Sequence, residues 1–405
     1  MKFDFKRKVL KNGMTIIFEK RNLPVVSVAF AVRNGGINET ADEKGISHFI
    51  EHMLYKGTAS RTHQQITEEI EKNGGELNGF TDETITAYWC KMPSRHLNTA
   101  LEVLGDMIKN PLFDERELEK EKKVILEEIK MNRDSPINYA IREIQTLLYE
   151  GTLGRWLIGD AKTLGAIDRE KIMKKFVEIY QPNNLILCVV GDADFEEIVE
   201  FAEKNFKEGK GEISNQNIEL MNKEKTEKRK GVDQANLVFA YHVPFGKDKK
   251  NYASQVLSAL TAEGMSSRLF NEIREKRNLA YALKGSSEIT KDFGYNLVYV
   301  GTSKENVGIV REIILKEFEK VAGGLEEDEL NQVKEQLAGQ FQINMEDSMS
   351  QMIGLLYSEI NENAEDFYEY EKNVRDVKLE DVRAIAKSAT EKFSFFALVP
   401  ISSKH

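Results

Sequence analysis

A chain of 405 residues is too long for one ordinary core and suits two or three domains. Its 41% hydrophobic and 31% charged residues are the balance of a soluble globular protein, which excludes disorder as the overall class. Lys plus Arg is 57 against 67 Asp plus Glu, and the net charge of −10 argues against nucleic acid as a partner.

The chain opens on Met1-Lys2-Phe3-Asp4-Phe5-Lys6, which has no apolar signal core, so export is not expected. Asn12-Gly13 lies between Lys8-Val9-Leu10 and Met14-Thr15-Ile16-Ile17-Phe18 and predicts a hairpin with a type I′ turn. A strand follows at 25–32, closed by Gly35-Gly36. From 42 to 55 the apolar residues switch to helical spacing, at Ile46, Phe49, Ile50, Met53 and Leu54. Residues 84–92 read as another strand, which holds Cys90. A helix spans about 96–109, with Pro111 as a break. A longer helix, 115–132, is rich in Glu and Lys, carries an apolar stripe, and has Pro136 beyond its end. Helical patterns resume from about 138, and 185–190 is a buried strand with Cys188. Both cysteines read as buried thiols of a reducing, cytoplasmic compartment, and two are too few for a Cys-based zinc site. No apolar run reaches the roughly 18 residues of a membrane helix, so no membrane partner is expected.

Residues 222–231, Asn-Lys-Glu-Lys-Thr-Glu-Lys-Arg-Lys-Gly, are charged and poor in apolar side chains. Glu residues interrupt the basic run, so a solvated linker is expected rather than a basic contact patch. Beyond it the pattern restarts. Residues 236–241 resemble 25–32, the helix at 251–260 falls where 47–55 did, 325–330 echo 113–118, and 395–399 echo 185–190. A constant offset of about 210 residues signals an internal duplication. The expected fold class is α+β: two similar domains, each an antiparallel sheet flanked by helices. The expected boundaries are 1–210, a charged linker at 211–232, and 233–405.

The chemistry concentrates at His48-Phe49-Ile50-Glu51-His52. On a helix, residues four apart share a face, so His48 and His52 can grip one cation while Glu51 reaches a water beside it. This is the H-x-x-E-H order, the inverse of H-E-x-x-H. Two of only six histidines fall here with a Glu between them. Core histidines satisfied by ordinary contacts are the bland alternative. Catalytic zinc needs a third protein ligand. On the 115–132 helix, Leu118, Glu121, Ile125 and Glu128 follow 3-4-3 spacing along one stripe, where carboxylates are costly unless paired or metal-bound.

The segment 45–58, Gly-Ile-Ser-His-Phe-Ile-Glu-His-Met-Leu-Tyr-Lys-Gly-Thr, resembles the M16 zinc-peptidase family. The likeness extends to 121–128 with Asp134-Ser135-Pro136, to Leu153-Gly154-Arg155 with Gly159, and to Tyr180-Gln181-Pro182-Asn183-Asn184. It continues at 264–270, Arg274 and Leu279-Ala280-Tyr281. The resemblance implies His48, His52 and Glu128 as zinc ligands, Glu128 lying 76 residues after His52, with Glu127 the neighbouring alternative. It implies Glu51 as the general base that takes the proton of a zinc-activated water, and Glu121 as an outer carboxylate that orients the site. Arg274 and Tyr281 match its arginine/tyrosine pair on the substrate carbonyl side. The stretch 74–81 looks like its substrate-binding edge strand, with Asn78, Gly79 and Phe80 as substrate contacts. At the duplication offset His52 falls near Ala262 and Glu128 near Gln340, so one Zn2+ per chain follows.

The implied activity is that of a zinc metalloendopeptidase acting on peptides or unfolded segments. The implied partner is a second copy, in a homodimer whose chamber excludes folded proteins and whose sites are completed in trans by Arg274 and Tyr281. A non-catalytic peptide-binding or assembly subunit is the alternative, and such members usually lose the metal motif, which is intact here. Two departures from the family pattern are Glu263, where glycine is more usual, and Thr152, where proline would be common.

Overall fold

The computed structural model describes residues 3–401, so Met1 and Lys2, which open the segment read for a signal core, lie outside the described residues. In chain order the strands are β1 (Phe5–Val9), β2 (Thr15–Lys20), β3 (Val25–Val32), β4 (Glu76–Thr81), β5 (Thr86–Pro93), β6 (Tyr149–Glu150), β7 (Leu185–Gly191), β8 (Glu219–Leu220), β9 (Glu224–Arg229), β10 (Ala235–His242), β11 (Ala280–Ile289), β12 (Gly294–Thr302) and β13 (Ser394–Pro400). The helices are α1 (Ile46–Leu54), α2 (His63–Glu71), α3 (Leu97–Lys109), α4 (Glu115–Asp134), α5 (Pro136–Leu148), α6 (Ala161–Gly165), α7 (Arg169–Ile179), α8 (Phe195–Asn205), α9 (Asn251–Ala262), α10 (Val307–Gly324), α11 (Glu327–Asn344), α12 (Ser348–Asn361), α13 (Tyr370–Arg375) and α14 (Leu379–Glu391).

These elements form two compact units. The first takes the chain up to Ile129, Arg155–Asn217 and Asn344–Phe367; the second takes Lys130–Gly154, Ile218–Ile343 and the chain from Tyr368. In the first unit six strands run in the order β1-β2-β7-β3-β5-β4. All pairs are antiparallel except β2 with β7. One face of this sheet carries Phe18, Val28, Phe30, Tyr88, Leu187 and their neighbours into a core closed by apolar residues of α1, α2, α3, α7 and α8. The other face is covered by α12, which packs on β3 and β7. Burial on both faces explains why β7 reads as an unbroken apolar run rather than an alternating one.

In the second unit the order is β11-β12-β10-β13-β9, again antiparallel except for one pair, β13 with β9. The two orders match strand for strand along the duplication, with β2, β7, β3, β5 and β4 answered by β9, β13, β10, β12 and β11. The helix packed on β10 and β13 here is α5, from the first half of the sequence. Each sheet is therefore covered on one face by a helix drawn from the other half of the chain. The exchanged helices are themselves duplicates, since Ser348 lies 212 residues after Pro136.

Three local expectations change. The hairpin β1–β2 forms, but Val9 pairs with Thr15 across a longer loop than a two-residue turn. There Gly13 takes φ +87° and Asn12 Oδ1 accepts from the Met14 N–H at 3.0 Å. Part of the stretch expected as a solvated linker, Glu224–Arg229, is strand β9. Its charges are held by α5 and by each other rather than buried: Tyr139 donates to Glu227 at 2.8 Å and Lys225 donates to Glu143 at 2.8 Å. The sheets are mixed, each with one parallel pair, rather than wholly antiparallel. Cys90 and Cys188 are free and buried in β5 and β7, and burial pushes the Cys90 thiol up to about 12. Among the described residues no helix is long and apolar enough to cross a membrane.

Candidate metal centre

Helix α1 is launched by a turn that only glycine takes easily. Gly45 sits at φ +97°, and a Cβ there would meet the Ile158 carbonyl oxygen at 2.7 Å. The first N–H groups of a helix lack internal partners. Glu39 supplies them, accepting from Gly45 N–H at 3.0 Å and Ser47 N–H at 2.7 Å. Glu39 and Lys44 are both buried, and the Lys44 ammonium donates to the Gly36 carbonyl at 2.9 Å and lies 3.4 Å from Glu83. Burial raises the Glu39 carboxyl above its usual range, with Lys44 and the two backbone donors opposing that shift.

On α1, Phe49, Ile50 and Met53 anchor the core, and His48 and His52 turn together toward α4. Their partner there is Glu128. His48 Nε2 lies 3.6 Å and His52 Nε2 3.8 Å from Glu128 Oε2. Among the described residues, His48, His52 and Glu128 form the group whose ligand atoms all lie within 4.8 Å of one another. A tetrahedral ion with bonds of about 2.0–2.1 Å sets its donors roughly 3.3 Å apart, so these gaps fit a two-nitrogen, one-oxygen zinc site. Glu127, the neighbouring alternative, is exposed on α4 outside this group.

Glu121 is buried two turns before Glu128. It lies 3.1 Å from His52 Nδ1, and Lys56 Nζ reaches its other oxygen at 2.7 Å. With Nδ1 donating to Glu121, Nε2 of His52 is left as a lone-pair donor toward the cluster, the usual relation between a metal-binding imidazole and its outer carboxylate. Burial opposes ionisation of Glu121, but hydrogen bonds from Lys56 and His52 outweigh it and hold the carboxyl below its usual range.

Glu51 lies on the same turn as His52. Thr81, the last residue of β4, donates to Glu51 Oε2 at 3.0 Å. Burial raises the Glu51 carboxyl, partly countered by His52 and Thr81 and reinforced by Glu128. Above this carboxylate runs β4, the edge of the sheet, with Asn78, Gly79 and Phe80 opposite Trp89, Tyr88 and Ala87. Asn78 Oδ1 accepts from the Gly79 N–H at 2.8 Å. A Cβ on Gly79 would lie 2.4 Å from the Tyr55 hydroxyl and 3.2 Å from Glu51 Oε1, so the strand passes directly over Glu51.

The first unit thus gathers His48, Glu51, His52, Asn78, Gly79, Phe80, Glu121 and Glu128. Arg274 and Tyr281 belong to the second unit. Arg274 lies in a π-helical turn with its guanidinium 4.9 Å from the Phe270 ring centre. Tyr281 sits at a β-bulge in β11, a device that re-aims a side chain, and is 45% exposed. Sequence reasoning did not single out Lys56 or Thr81. Lys56 was findable, since it lies four residues after His52 in the turn that follows α1; Thr81 meets Glu51 only through the folded sheet.

Comparison with known proteins gives the family. Residues 15–161 match the family model described as insulinase (peptidase family M16), and 166–337 match the one described as peptidase M16 inactive domain. A Rickettsia felis protein named an uncharacterized zinc protease is 33% identical over 343 residues, 83% of each chain. A Bacillus subtilis protein of like name is 32% identical over 353 residues, 86% of each chain. The chain belongs to the M16 peptidase family, in a short two-domain form. Its fold is shared by a Helicobacter pylori protease at TM-score 0.91 and 24% identity, covering 98% of this chain and 100% of that one. A Pseudomonas fluorescens structure titled as a peptidase M16 inactive domain gives a TM-score of 0.88 at 18% identity, covering 99% of both chains. The His48–His52–Glu128 cluster falls within the first matched segment.

Proposed function

We propose that this M16 protein is a zinc-dependent endopeptidase that cleaves peptides or unfolded polypeptide segments, with one zinc per chain. The observation that carries the reading is the convergence of His48, His52 and Glu128 beside Glu51, which is half-buried on the same helix as the two histidines. When bound, zinc supplies Lewis acidity that acidifies water and polarises a carbonyl. Glu51 takes the proton from the attacking water and hands it to the leaving amine. Thr81 holds one Glu51 oxygen and leaves Oε1 for that proton. Glu121 fixes the ring of His52. The open edge of β4 pairs with an extended peptide through its backbone, with Asn78, Gly79 and Phe80 as contacts. Arg274 and Tyr281 supply donors to the substrate carbonyl, and the working form is a cytoplasmic homodimer in which each chain's pair serves the other's metal centre.

The test uses purified full-length protein, its zinc content and a quenched generic peptide. Glu51→Gln is expected to keep zinc and lose about 10²–10⁴-fold in turnover, the span of general acid–base catalysis. A protein that takes up no zinc, or a Glu51→Gln variant of undiminished activity, overturns the reading. The trans arrangement is tested by mixing His52→Ala with Tyr281→Phe chains: recovered activity in a confirmed mixed dimer supports it, and none refutes it.

A further inference from the structure

Thr81 is the direct hydrogen-bond partner of Glu51, and both of its neighbours in sequence meet one residue of α12. The Phe80 ring stacks on Tyr357, with centres 6.2 Å apart and planes at 20°. The Tyr357 hydroxyl donates to Asp82 Oδ2 at 2.7 Å. Side chains alternate along an extended segment, so Phe80 and Asp82 face one way while Thr81 faces the other, toward Glu51.

Tyr357 is itself held on a fixed base. Two residues on, Glu359 is buried and accepts from Arg7 at 2.8 Å and from Arg33 at 2.6 Å. At the start of α12, the Ser348 and Ser27 hydroxyls lie 2.9 Å apart. The turn beyond Asp82 is tied as well, since the Gly36 N–H donates to the Asp82 carbonyl at 3.1 Å. Residue 357 lies outside both segments that match the family models.

We infer that Tyr357 is a positioning residue for Glu51: its ring and hydroxyl clasp Phe80 and Asp82 on either side of Thr81 and so hold the Thr81 hydroxyl on the carboxylate. This rests on the reading of Glu51 as the general base. The clasp also fixes the end of β4, where the substrate strand would lie. Ring and hydroxyl have separable duties. The hydroxyl acts through Asp82 and Thr81 on catalysis, and the ring acts through Phe80 on the substrate-binding edge.

The test compares Tyr357→Phe, Tyr357→Leu, Thr81→Val and the double variant Thr81→Val/Tyr357→Phe. Tyr357→Phe keeps the ring, and is expected to lower kcat three- to tenfold with KM within twofold and zinc content unchanged. Tyr357→Leu also loses the stacking and is expected to raise KM. In the Thr81→Val background, Tyr357→Phe is expected to have no further effect on kcat, because the bond it supports is already gone. Hydrogen exchange of the metal-free protein supplies a readout independent of activity: amides 80–83 should exchange faster in Tyr357→Phe. Unchanged kcat, fully additive effects of Thr81→Val and Tyr357→Phe, or unchanged exchange overturns the clasp. Inactivity of the wild-type protein counts instead against the proposed peptidase, and the exchange measurement then decides the clasp alone.

Discussion

Helices α4 and α11 are duplicates put to different use. The buried stripe of α4 is Leu118, Glu121, Ile125 and Ile129; that of α11 includes Leu330, Val333 and Leu337. Each of these three lies 212 residues after Leu118, Glu121 and Ile125, so a buried carboxylate in one unit answers a buried valine in the other. A like contrast separates α1 from its duplicate α9. Where α1 carries His48, Glu51 and His52, α9 carries Ser258, Thr261 and Ala262 at an offset of 210. Thr261 merely donates to the Leu257 carbonyl of its own helix at 2.7 Å. The fold therefore needs no carboxylate or imidazole at these positions. The carboxylate in the first unit is tolerated because His52 and Lys56 meet it.

The two exchanged helices differ in the same spirit, and the largest expected effect comes from breaking the anchor of α12. Glu359 is 1% exposed and holds Arg7 and Arg33 together. Burial opposes its ionisation, but the hydrogen bonds of both arginines hold its carboxyl below the usual range. Glu359→Ala leaves two partly buried guanidinium groups unmatched and is expected to cost about 3 kcal/mol. At that size the melting temperature of the unit should fall by about 6–12 °C, read by calorimetry. On α5, the bond from Tyr139 to Glu227 joins half-exposed groups, so Tyr139→Phe should shift melting far less. Equal shifts would show that the two exchanges are anchored alike.

How far this contrast was legible in the sequence depends on the range of each relation. His48, Glu51 and His52 lie close together on one helix, so their spacing alone marks a candidate cation site. Glu128 was reachable because the stripe of α4 places it in phase with Glu121. The duplication was visible as a constant offset of strands and helices. The exchange of α5 and α12 was not, since an amphipathic helix shows that it has an apolar face and not which sheet covers it. Strand β9 was hidden because its Glu and Lys residues are paired with side chains of α5 and with Arg311, leaving no apolar alternation to read. Thr81 and Tyr357 meet across 276 residues of sequence through Phe80 and Asp82, a relation that only the packed sheet creates.

Importing the second unit's residue into the first sharpens the comparison at the metal. Glu121→Val is expected to weaken zinc binding 10–100-fold, the usual loss when an outer carboxylate is removed from a metal-bound imidazole. Competition with a chromophoric chelator reads it. The metal-free protein should lose less stability than with Glu359→Ala, because only one partner of Glu121, Lys56, carries an obligatory charge, whereas Glu359 meets two arginines. Unaltered zinc affinity would reduce Glu121 to a structural ion pair.

The smallest contrast lies at the sheet edges. Each edge strand brings one glycine against the helix beneath it. A Cβ on Gly79 would meet the Tyr55 hydroxyl at 2.4 Å, the Ala87 carbonyl oxygen at 2.8 Å and Glu51 Oε1 at 3.2 Å. A Cβ on Gly285 would meet the Ala262 Cβ at 2.7 Å and its carbonyl carbon at 3.0 Å. Overpacking of this kind costs about 1–3 kcal/mol at either site. The two variants should therefore melt alike and differ in catalysis. Gly79→Ala pushes β4 away from Glu51 and is expected to lower kcat/KM about tenfold, roughly 1.4 kcal/mol of transition-state stabilisation. Gly285→Ala presses only on an apolar helix end and should leave kcat/KM within twofold of the wild type. Steady-state cleavage of one quenched peptide by both variants decides the matter. Equal losses would mean that strain at either edge reaches Glu51, and that the proposed chemistry draws on the second unit as much as on the first.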